Sequence, residues 1–196
     1  VVAERIAEID AALTALLAYT RELAARRRVE PRDDLVTRMA QAADEAGWSD
    51  AEIDGSIAGL VFAGHETTKQ QLGWTVAVLS AQAAIWDGVG RGELAARDVV
   101  EEVLRHRSTV TSVGRTAAEP IDHAGEHIDA GSTVLLSLWS ADHDEAIFPR
   151  PDEIAPAANA VAPHVAFGHG AHHCFGAALA RAELQEGLAA LAARLT

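Results

Sequence analysis

Apolar residues recur at helical spacing along much of the chain, with polar residues between them. In residues 2–28, isoleucine and leucine repeat every three or four positions, which predicts an amphipathic helix. A second helix is predicted over about 34–46. Ser49 followed by Glu52 forms a capping box, so we expect a long helix to start there and to run to about Gln82.

The predicted long helix contains an unusual polar segment at residues 63–68, which read AGHETT. Glycine, a carboxylate and two threonines are costly in the middle of a helix. Threonine hydroxyls can also bond back to the preceding turn and distort it. We therefore expect a local break in the helical pattern. Apolar residues continue on both sides, so we expect this segment inside the protein rather than on an exposed surface.

Further along, residues 83–97 predict a shorter helix and a glycine-containing turn. Asp98 is expected to cap another helix over 99–107. This helix carries Glu102 and Arg105 on one face. Taken alone, the pair is consistent with an ordinary exposed ion pair, which stabilises a protein by less than about 1 kcal/mol.

The part of the chain beyond this helix predicts extended and irregular structure. Residues 110–113 read as extended, and short strands with glycine-containing turns are expected over 119–139. Residues 140–165 are rich in proline, aspartate and alanine, which predicts a coiled meander. The sequence therefore indicates a mainly helical fold with a small sheet.

The composition of the chain limits which binding partners and which cellular compartment are expected. The formal net charge of −13 disfavours nucleic acid and anionic membranes as partners. There is no run of about 20 apolar residues, so no transmembrane helix is predicted, and no signal-peptide pattern is visible. A single cysteine rules out an internal disulfide and fits a reducing compartment, so we expect a cytoplasmic protein.

That cysteine, Cys174, lies in the segment with the richest chemistry, residues 167–176, which read FGHGAHHCFG. Glycines at this density suit a backbone with unusual dihedrals or a close approach to another body. A run of helix-forming residues follows at once. Cys174 is thus expected just before a helix N-terminus, where backbone N–H groups favour a thiolate, which is a metal ligand or a nucleophile.

Three interpretations of Cys174 remain open on this local pattern. The cysteine could be buried and inert. It could join His169, His172 and His173 in a zinc site. It could instead donate one axial thiolate bond to haem iron from a loop opened by glycines.

The spacing F-x-x-G-x-H-x-C-x-G resembles the haem-binding signature of the cytochrome P-450 monooxygenases. The resemblance implies that Cys174 is the proximal ligand of the haem iron and that His172 contacts a haem propionate. It also implies that Phe167 packs near the ligand sulfur. The loop residues assigned to the cofactor in this way are Phe167, Gly168, His172, Cys174 and Gly176.

The AGHETT segment resembles the oxygen-activation motif of the same family. By this resemblance, Thr67 hydrogen-bonds dioxygen, Glu66 relays protons, and Ala63 and Gly64 leave room beside the haem. A carboxylate next to a hydroxyl is also a reasonable proton relay on chemical grounds. Substrate contacts are expected from Gly59, Phe62, Val110 and Val113.

Glu102 and Arg105 resemble the family's structural Glu-x-x-Arg pair, which braces the core behind the haem. Arg115 matches a position that usually reaches a haem propionate, with a solvent-exposed arginine as the alternative. The three motifs occur along the chain in the order typical of the family.

The meander departs from the family pattern. Members usually place an arginine near its Pro-Asp dipeptide, where this chain has Glu153. Residues 142–144 likewise lack the more usual Asn-Arg start. The third side chain of the brace is therefore in doubt, and Arg150 is a candidate substitute.

The resemblance implies a mainly α fold with a small β-sheet. It also implies that haem b lies between the long central helix and the cysteine loop, which a further helix follows. The resemblance places residues 1–196 in the carboxy-terminal half of a single domain. The implied activity inserts one atom of dioxygen into a small organic substrate, with electrons from NAD(P)H passed on by a ferredoxin and its reductase. The alternative is a truncated haem-binding or structural fragment without turnover.

Overall fold

The computed structural model describes residues 5–195, which divide into two compact units with their boundary between His65 and Glu66. The helices are α1 Ile6–Val29, α2 Leu35–Ala46, α3 Asp50–Leu79, α4 Ala83–Gly90, α5 Ala96–His106, α6 Leu138–Asp142, α7 Pro156–Asn159 and α8 Ala177–Ala192. The strands are β1 Ser112–Thr116, β2 Ile121–His123, β3 Glu126–Ile128 and β4 Thr133–Ser137.

In the first unit, α1 packs against α2, and α3 begins directly after them. The Asp34 carboxylate caps α2 by accepting the Thr37 N–H at 2.8 Å. The predicted capping box is confirmed at the start of α3, where the Ser49 N–H donates to Glu52 Oε2 at 2.7 Å. The apolar core of this unit consists of Ala24, Ala40, Ala43, Ile53 and Ile57.

Helix α3 is continuous through residues 63–68, so the predicted break is wrong. One interior glycine costs a helix only about 1 kcal/mol, which long helical flanks on both sides can offset. Threonine hydroxyls can also bond to the preceding turn without ending the helix. Residues 63–67 are exposed, contrary to the expectation that they lie inside the protein. The helix ends at Leu79, three residues before the predicted Gln82.

In the second unit, α5 and α4 both pack against α8 around a buried core. Helix α5 begins at Ala96, with Ala95 at the N-cap and no side-chain capping hydrogen bond, so the prediction of Asp98 as the cap is wrong. Asp98 lies instead in the first helical turn, where the dipole favours a carboxylate. The buried core residues are Leu79, Val89, Val99, Val100, Val103, Leu104, Ala166, Leu184, Leu188 and Ala192.

The strands form two separate antiparallel pairs in the described part of the chain, β1 with β4 and β2 with β3. The turn between β2 and β3 uses left-handed residues, Ala124 with φ 51° and Gly125 with φ 87°. Strand β1 starts at Ser112, two residues after the start of the predicted extended segment 110–113. The meander also contains two short helices, α6 and α7, where the sequence indicated coil.

Gly90 marks a close approach between α4 and α8. A Cβ added there would lie 2.6 Å from the backbone oxygen of Ala192, and a backbone atom cannot move aside cheaply.

We expect Gly90→Ala to lower the free energy of unfolding by about 1–3 kcal/mol, measured by urea denaturation. The matched control is Gly73→Ala on exposed α3 surface, where nothing beyond the chain neighbours and the helix's own backbone lies within 4 Å of the new methyl group. That control should stabilise the protein by about 0.5–1 kcal/mol. Equal effects of both substitutions would contradict the packing argument.

Candidate functional site

The cysteine loop is closed by its own backbone. Gly168 and Gly170 have φ values of 71° and 73°, which strain residues with a side chain. A 3-10 turn spans Gly170–His172, and α8 begins at Ala177, as the sequence predicted. The Cys174 N–H donates to the Phe167 carbonyl at 2.9 Å, so the two ends of the loop are held together.

Cys174 is exposed, so the interpretation as a buried inert cysteine is wrong. The three loop histidines are exposed as well. Across residues 5–195, no group of three or more His, Cys, Asp or Glu side chains is arranged to hold a metal ion. The zinc interpretation therefore lacks a ligand set in the described part of the chain.

The surroundings of the sulfur fit an apolar cofactor that one thiolate would hold. A Cβ on Gly176 would lie 3.9 Å from Cys174 Sγ, so the glycine keeps the surface beside the sulfur low. Phe175, next to it, is 74 % exposed and offers apolar surface. A soft, exposed sulfur donor on a glycine-rich loop matches the proximal side of a haem site.

The second-unit part of the oxygen-activation segment carries Glu66 and Thr67. Glu66 accepts a hydrogen bond from Lys69 Nζ at 2.7 Å on the helix surface. The carbonyl oxygen of Thr67 accepts from Thr109 Oγ1 at 3.5 Å. This contact places Thr67 beside the segment that leads to the predicted substrate residue Val110.

Gln71, one turn after Thr67, was not singled out from the sequence. Its buried amide donates to the Arg107 carbonyl at 2.9 Å and accepts the Thr109 N–H at 2.8 Å. Gln71 therefore fixes the C-terminal part of α3 against the chain that follows α5. The available signal was the helical spacing of the Gln71 amide with Thr75 and Leu79, which are also buried.

The remaining predicted contact residues are accessible. Phe62 is 79 % exposed, and Val110 is exposed while Val113 is half-buried. Arg115 is exposed and donates to the Gly114 carbonyl at 2.8 Å, so its guanidinium is at the surface. Gly59, Ala63, Gly64 and His172 are also exposed.

Glu102 and Arg105 form a buried pair, 4 % and 2 % exposed, rather than an ordinary surface ion pair. Arg105 Nε and Nη2 donate to the two carboxylate oxygens at 2.9 and 3.0 Å. The remaining guanidinium hydrogens reach meander carbonyls of Asp142, Pro151 and Glu153. The pair therefore fastens the meander to α5, which is the bracing role expected from the sequence.

Asn159, and not Arg150, supplies the third side chain of this brace. Its Nδ2 donates to Glu102 Oε1 at 2.7 Å, while its Oδ1 accepts the Arg150 N–H at 3.0 Å. The Arg150 guanidinium pairs instead with the exposed carboxylate of Glu153. No local pattern distinguishes Asn159 from an ordinary loop asparagine, so the sequence could not indicate it.

The same contacts set the charge of Glu102. Burial alone would raise its pKa, but hydrogen bonds from Arg105, the Ala155 N–H and Asn159 outweigh burial and lower the pKa. Glu102 is therefore ionised at neutral pH.

Asp142 connects the meander to the segment before the cysteine loop. Its Oδ1 accepts the Val165 N–H at 2.7 Å, two residues before Phe167. Its side chain is buried, and Oδ2 has no hydrogen-bond partner. Burial raises the pKa of Asp142, because the charged form loses its hydration and gains only partial compensation.

The exposed thiol loop, the buried Glu-x-x-Arg brace and the mainly helical fold are together consistent with a haem-thiolate protein. Residues 96–194 match the cytochrome P-450 family. The chain belongs to this family, whose members use haem b and dioxygen.

Two curated relatives show how far the similarity extends. The chain is 36 % identical over 194 residues to erythromycin C-12 hydroxylase of Saccharopolyspora erythraea, covering 98 % of this chain and 48 % of the relative. It is 38 % identical over 192 residues to mycinamicin IV hydroxylase/epoxidase of Micromonospora griseorubida. This match covers 96 % of this chain and 48 % of the relative.

Among solved structures, the chain is similar to CYP109E1 of Bacillus megaterium in complex with testosterone. The TM-score is 0.90 at 32 % identity, and the match covers 97 % of this chain and 53 % of that one. The chain thus spans about half the length of the relatives that it matches. In residues 5–195, no helix is both long enough and apolar enough to cross a membrane.

Replacing Asp142 with Asn should remove a buried charge without changing the shape of the side chain. Because the folded-state pKa is raised, the carboxyl group stabilises the fold below its unfolded pKa, and this contribution is lost as pH rises through the folded value. We expect Asp142→Asn to raise the free energy of unfolding at pH 7 by about 1 kcal/mol. The gain should shrink as pH falls towards 4.

Urea denaturation at several pH values measures this difference. Asp152→Asn, at an exposed meander position, is the control and should show neither effect. A gain at Asp142 that does not depend on pH would show that charge burial is not its cause.

Proposed function

We propose that this chain provides the thiolate ligand and the oxygen-activation helix of a cytochrome P-450 monooxygenase acting on a small organic substrate. The observation that carries the proposal is the exposed Cys174 on a closed glycine loop, backed by the buried Glu102–Arg105 brace. Hydroxylation or epoxidation is the reaction class that fits best, since relatives carry those names. Residues 1–196 would then belong to one cytochrome P-450 domain.

In this proposal the loop binds the cofactor and the surface side chains orient it. Haem b, when bound, supplies the chemistry of dioxygen activation. Cys174 would supply the thiolate that holds the haem iron, and Phe167, Gly168 and Gly176 would shape the surface around the sulfur. Arg115 and His172 are exposed and can reach outward to propionates. Ala63, whose side chain is a single methyl group, and Gly64, which has no side chain, would leave space on α3 for dioxygen.

Proton delivery is assigned to Glu66 and Thr67. The Glu66 carboxylate is about half exposed, so it can exchange protons with water. Its hydrogen bond to Lys69 Nζ must be released before it can pass a proton to the Thr67 hydroxyl. Gln71 and Thr109 hold this turn of α3 in place. Gly59, Phe62, Val110 and Val113 are the proposed substrate contacts, and a ferredoxin with its reductase is the proposed electron donor.

A catalytically incompetent haem-binding or structural fragment is the second candidate. The observation that favours it is the number of large apolar side chains that are exposed, because such surface usually contacts another body. These include Phe62, Leu135, Phe175 and Leu179.

Cys174→Ala tests the ligand. The chain reconstituted with haem, reduced and exposed to carbon monoxide, should give the strongly red-shifted Soret band of thiolate ligation. The variant should lose that band completely, because alanine has no donor atom. His173→Ala, at the preceding exposed position, is the control and should keep it. Retention of the band in Cys174→Ala would refute the assignment.

Thr67→Ala tests the proton path and separates the two candidate functions. With ferredoxin, its reductase and NAD(P)H, the monooxygenase proposal predicts that the variant releases more hydrogen peroxide per NAD(P)H consumed than the parent. The reason is that dioxygen reduction continues without correct protonation. Thr68→Ala is the neighbouring control. An unchanged peroxide ratio would remove Thr67 from the relay, and an absence of NAD(P)H consumption in the parent would favour the fragment.

A further inference from the structure

Three polar side chains from separate segments converge on Phe167. Glu101 lies on α5, His164 lies in the segment before the cysteine loop, and Arg181 lies on α8. Arg181 Nε and Nη2 donate to the two Glu101 oxygens at 2.8 and 3.1 Å. Glu101 Oε2 also contacts His164 Nε2 at 3.1 Å. We call Glu101, His164 and Arg181 the Phe167 clamp.

The backbone determines the tautomer of His164. The Ala166 N–H donates to His164 Nδ1 at 3.2 Å, so Nδ1 must be the acceptor. The proton of the neutral ring is therefore on Nε2, which donates it to Glu101. His164 thus connects Glu101 to the backbone one residue before Phe167. The His164 side chain is only 6 % exposed and is shielded from water, whereas the Glu101 and Arg181 side chains are each about one third exposed.

Arg181 completes the clamp from the other side. Its guanidinium carbon lies 4.5 Å from the centre of the Phe167 ring, within the range of a cation–π contact. The His164 ring lies 6.0 Å from the same centre, tilted by 39°. Phe167 also packs against the buried core that includes Ala166. The ring is therefore held on several sides.

The charged carboxylate of Glu101 is the group that both His164 and Arg181 contact. Burial alone would raise its pKa, but hydrogen bonds from His164 and Arg181 lower it to about 2. Glu101 is therefore ionised at neutral pH and accepts from both partners at once. Because Oε2 receives both His164 Nε2 and Arg181 Nη2, an amide nitrogen in its place would face two donors.

We propose that Glu101, acting through His164 and Arg181, is a positioning residue that fixes Phe167 and thereby the backbone of Cys174. The last link is direct, since the Phe167 carbonyl accepts the Cys174 N–H. The effect on the thiolate ligand rests on the proposed haem function. The effect on loop geometry does not depend on it.

Hydrogen exchange of the full chain without haem reads the loop directly. In Glu101→Gln, we expect the Cys174 amide to exchange about tenfold faster, because a charge-assisted acceptor has been lost. Peptides from α4 should exchange as in the parent. Arg181→Lys keeps the positive charge but loses the planar fork, and it should have a smaller effect in the same direction. Glu186→Gln, at an exposed position on α8, is the control and should change nothing.

A double variant shows whether Glu101 and Arg181 act through one shared contact or stabilise the protein independently. If Glu101 and Arg181 act together, Glu101→Gln combined with Arg181→Lys should be no worse at Cys174 than Glu101→Gln alone. Additive effects, uniform loss of protection across the chain, or unchanged exchange at Cys174 would each overturn the proposal.

The haem-reconstituted chain provides a second, spectroscopic readout. The reduced carbon-monoxide complex of the parent should show the red-shifted band. In Glu101→Gln, a larger fraction of the complex should absorb at the unshifted position than in the parent. If the fraction of the complex with the red-shifted band is unchanged in Glu101→Gln, the proposed effect of the clamp on the thiolate ligand is wrong. Absence of the band in the parent, with faster Cys174 exchange in Glu101→Gln, would refute the haem function and support the clamp.

Discussion

The buried Glu102–Arg105 pair is the interaction on which the second unit depends. Removing one partner of a buried ion pair typically costs about 3–5 kcal/mol, because the other charge is left without compensation. Arg105 also has more donors than one carboxylate can accept. The meander must therefore wrap around α5 so that its carbonyl groups reach the guanidinium. Asn159 and the Ala155 N–H complete the shell around Glu102. These contacts fix the backbone of the meander, although it has little regular secondary structure.

The path of the meander in turn determines where the cysteine loop begins. Asp142, whose carbonyl accepts from Arg105, uses its carboxylate to hold Val165. His164, just before Val165, contacts Glu101 of α5, and Phe167, two residues after Val165, contacts Arg181 of α8. The exposed thiol therefore lies at the end of a continuous series of buried or half-buried contacts. Glycines leave the surface around the sulfur open, while side chains behind it keep the backbone fixed.

Local patterns predicted those features that depend on local physics. The capping box at Ser49, the helix after Cys174 and the Glu102–Arg105 pair all follow from spacing within one turn or loop. The break in α3 was wrongly predicted, because helix propensity is a weak preference that long flanks override. Asn159 could not be predicted, since its partner Glu102 is 57 residues away in sequence. Helical spacing could place Gln71 on a buried face, but not its bond to the Arg107 carbonyl, 36 residues away. The clamp on Phe167 was missed for the same reason.

X-ray absorption at the iron edge of the haem-reconstituted chain tests the central claim most directly. The account predicts one sulfur atom bound to iron in the parent chain, in addition to the porphyrin nitrogens, and none in Cys174→Ala. An iron bound only by nitrogen or oxygen in the parent, or a sulfur shell that persists in the variant, would contradict the assignment of Cys174 as the ligand.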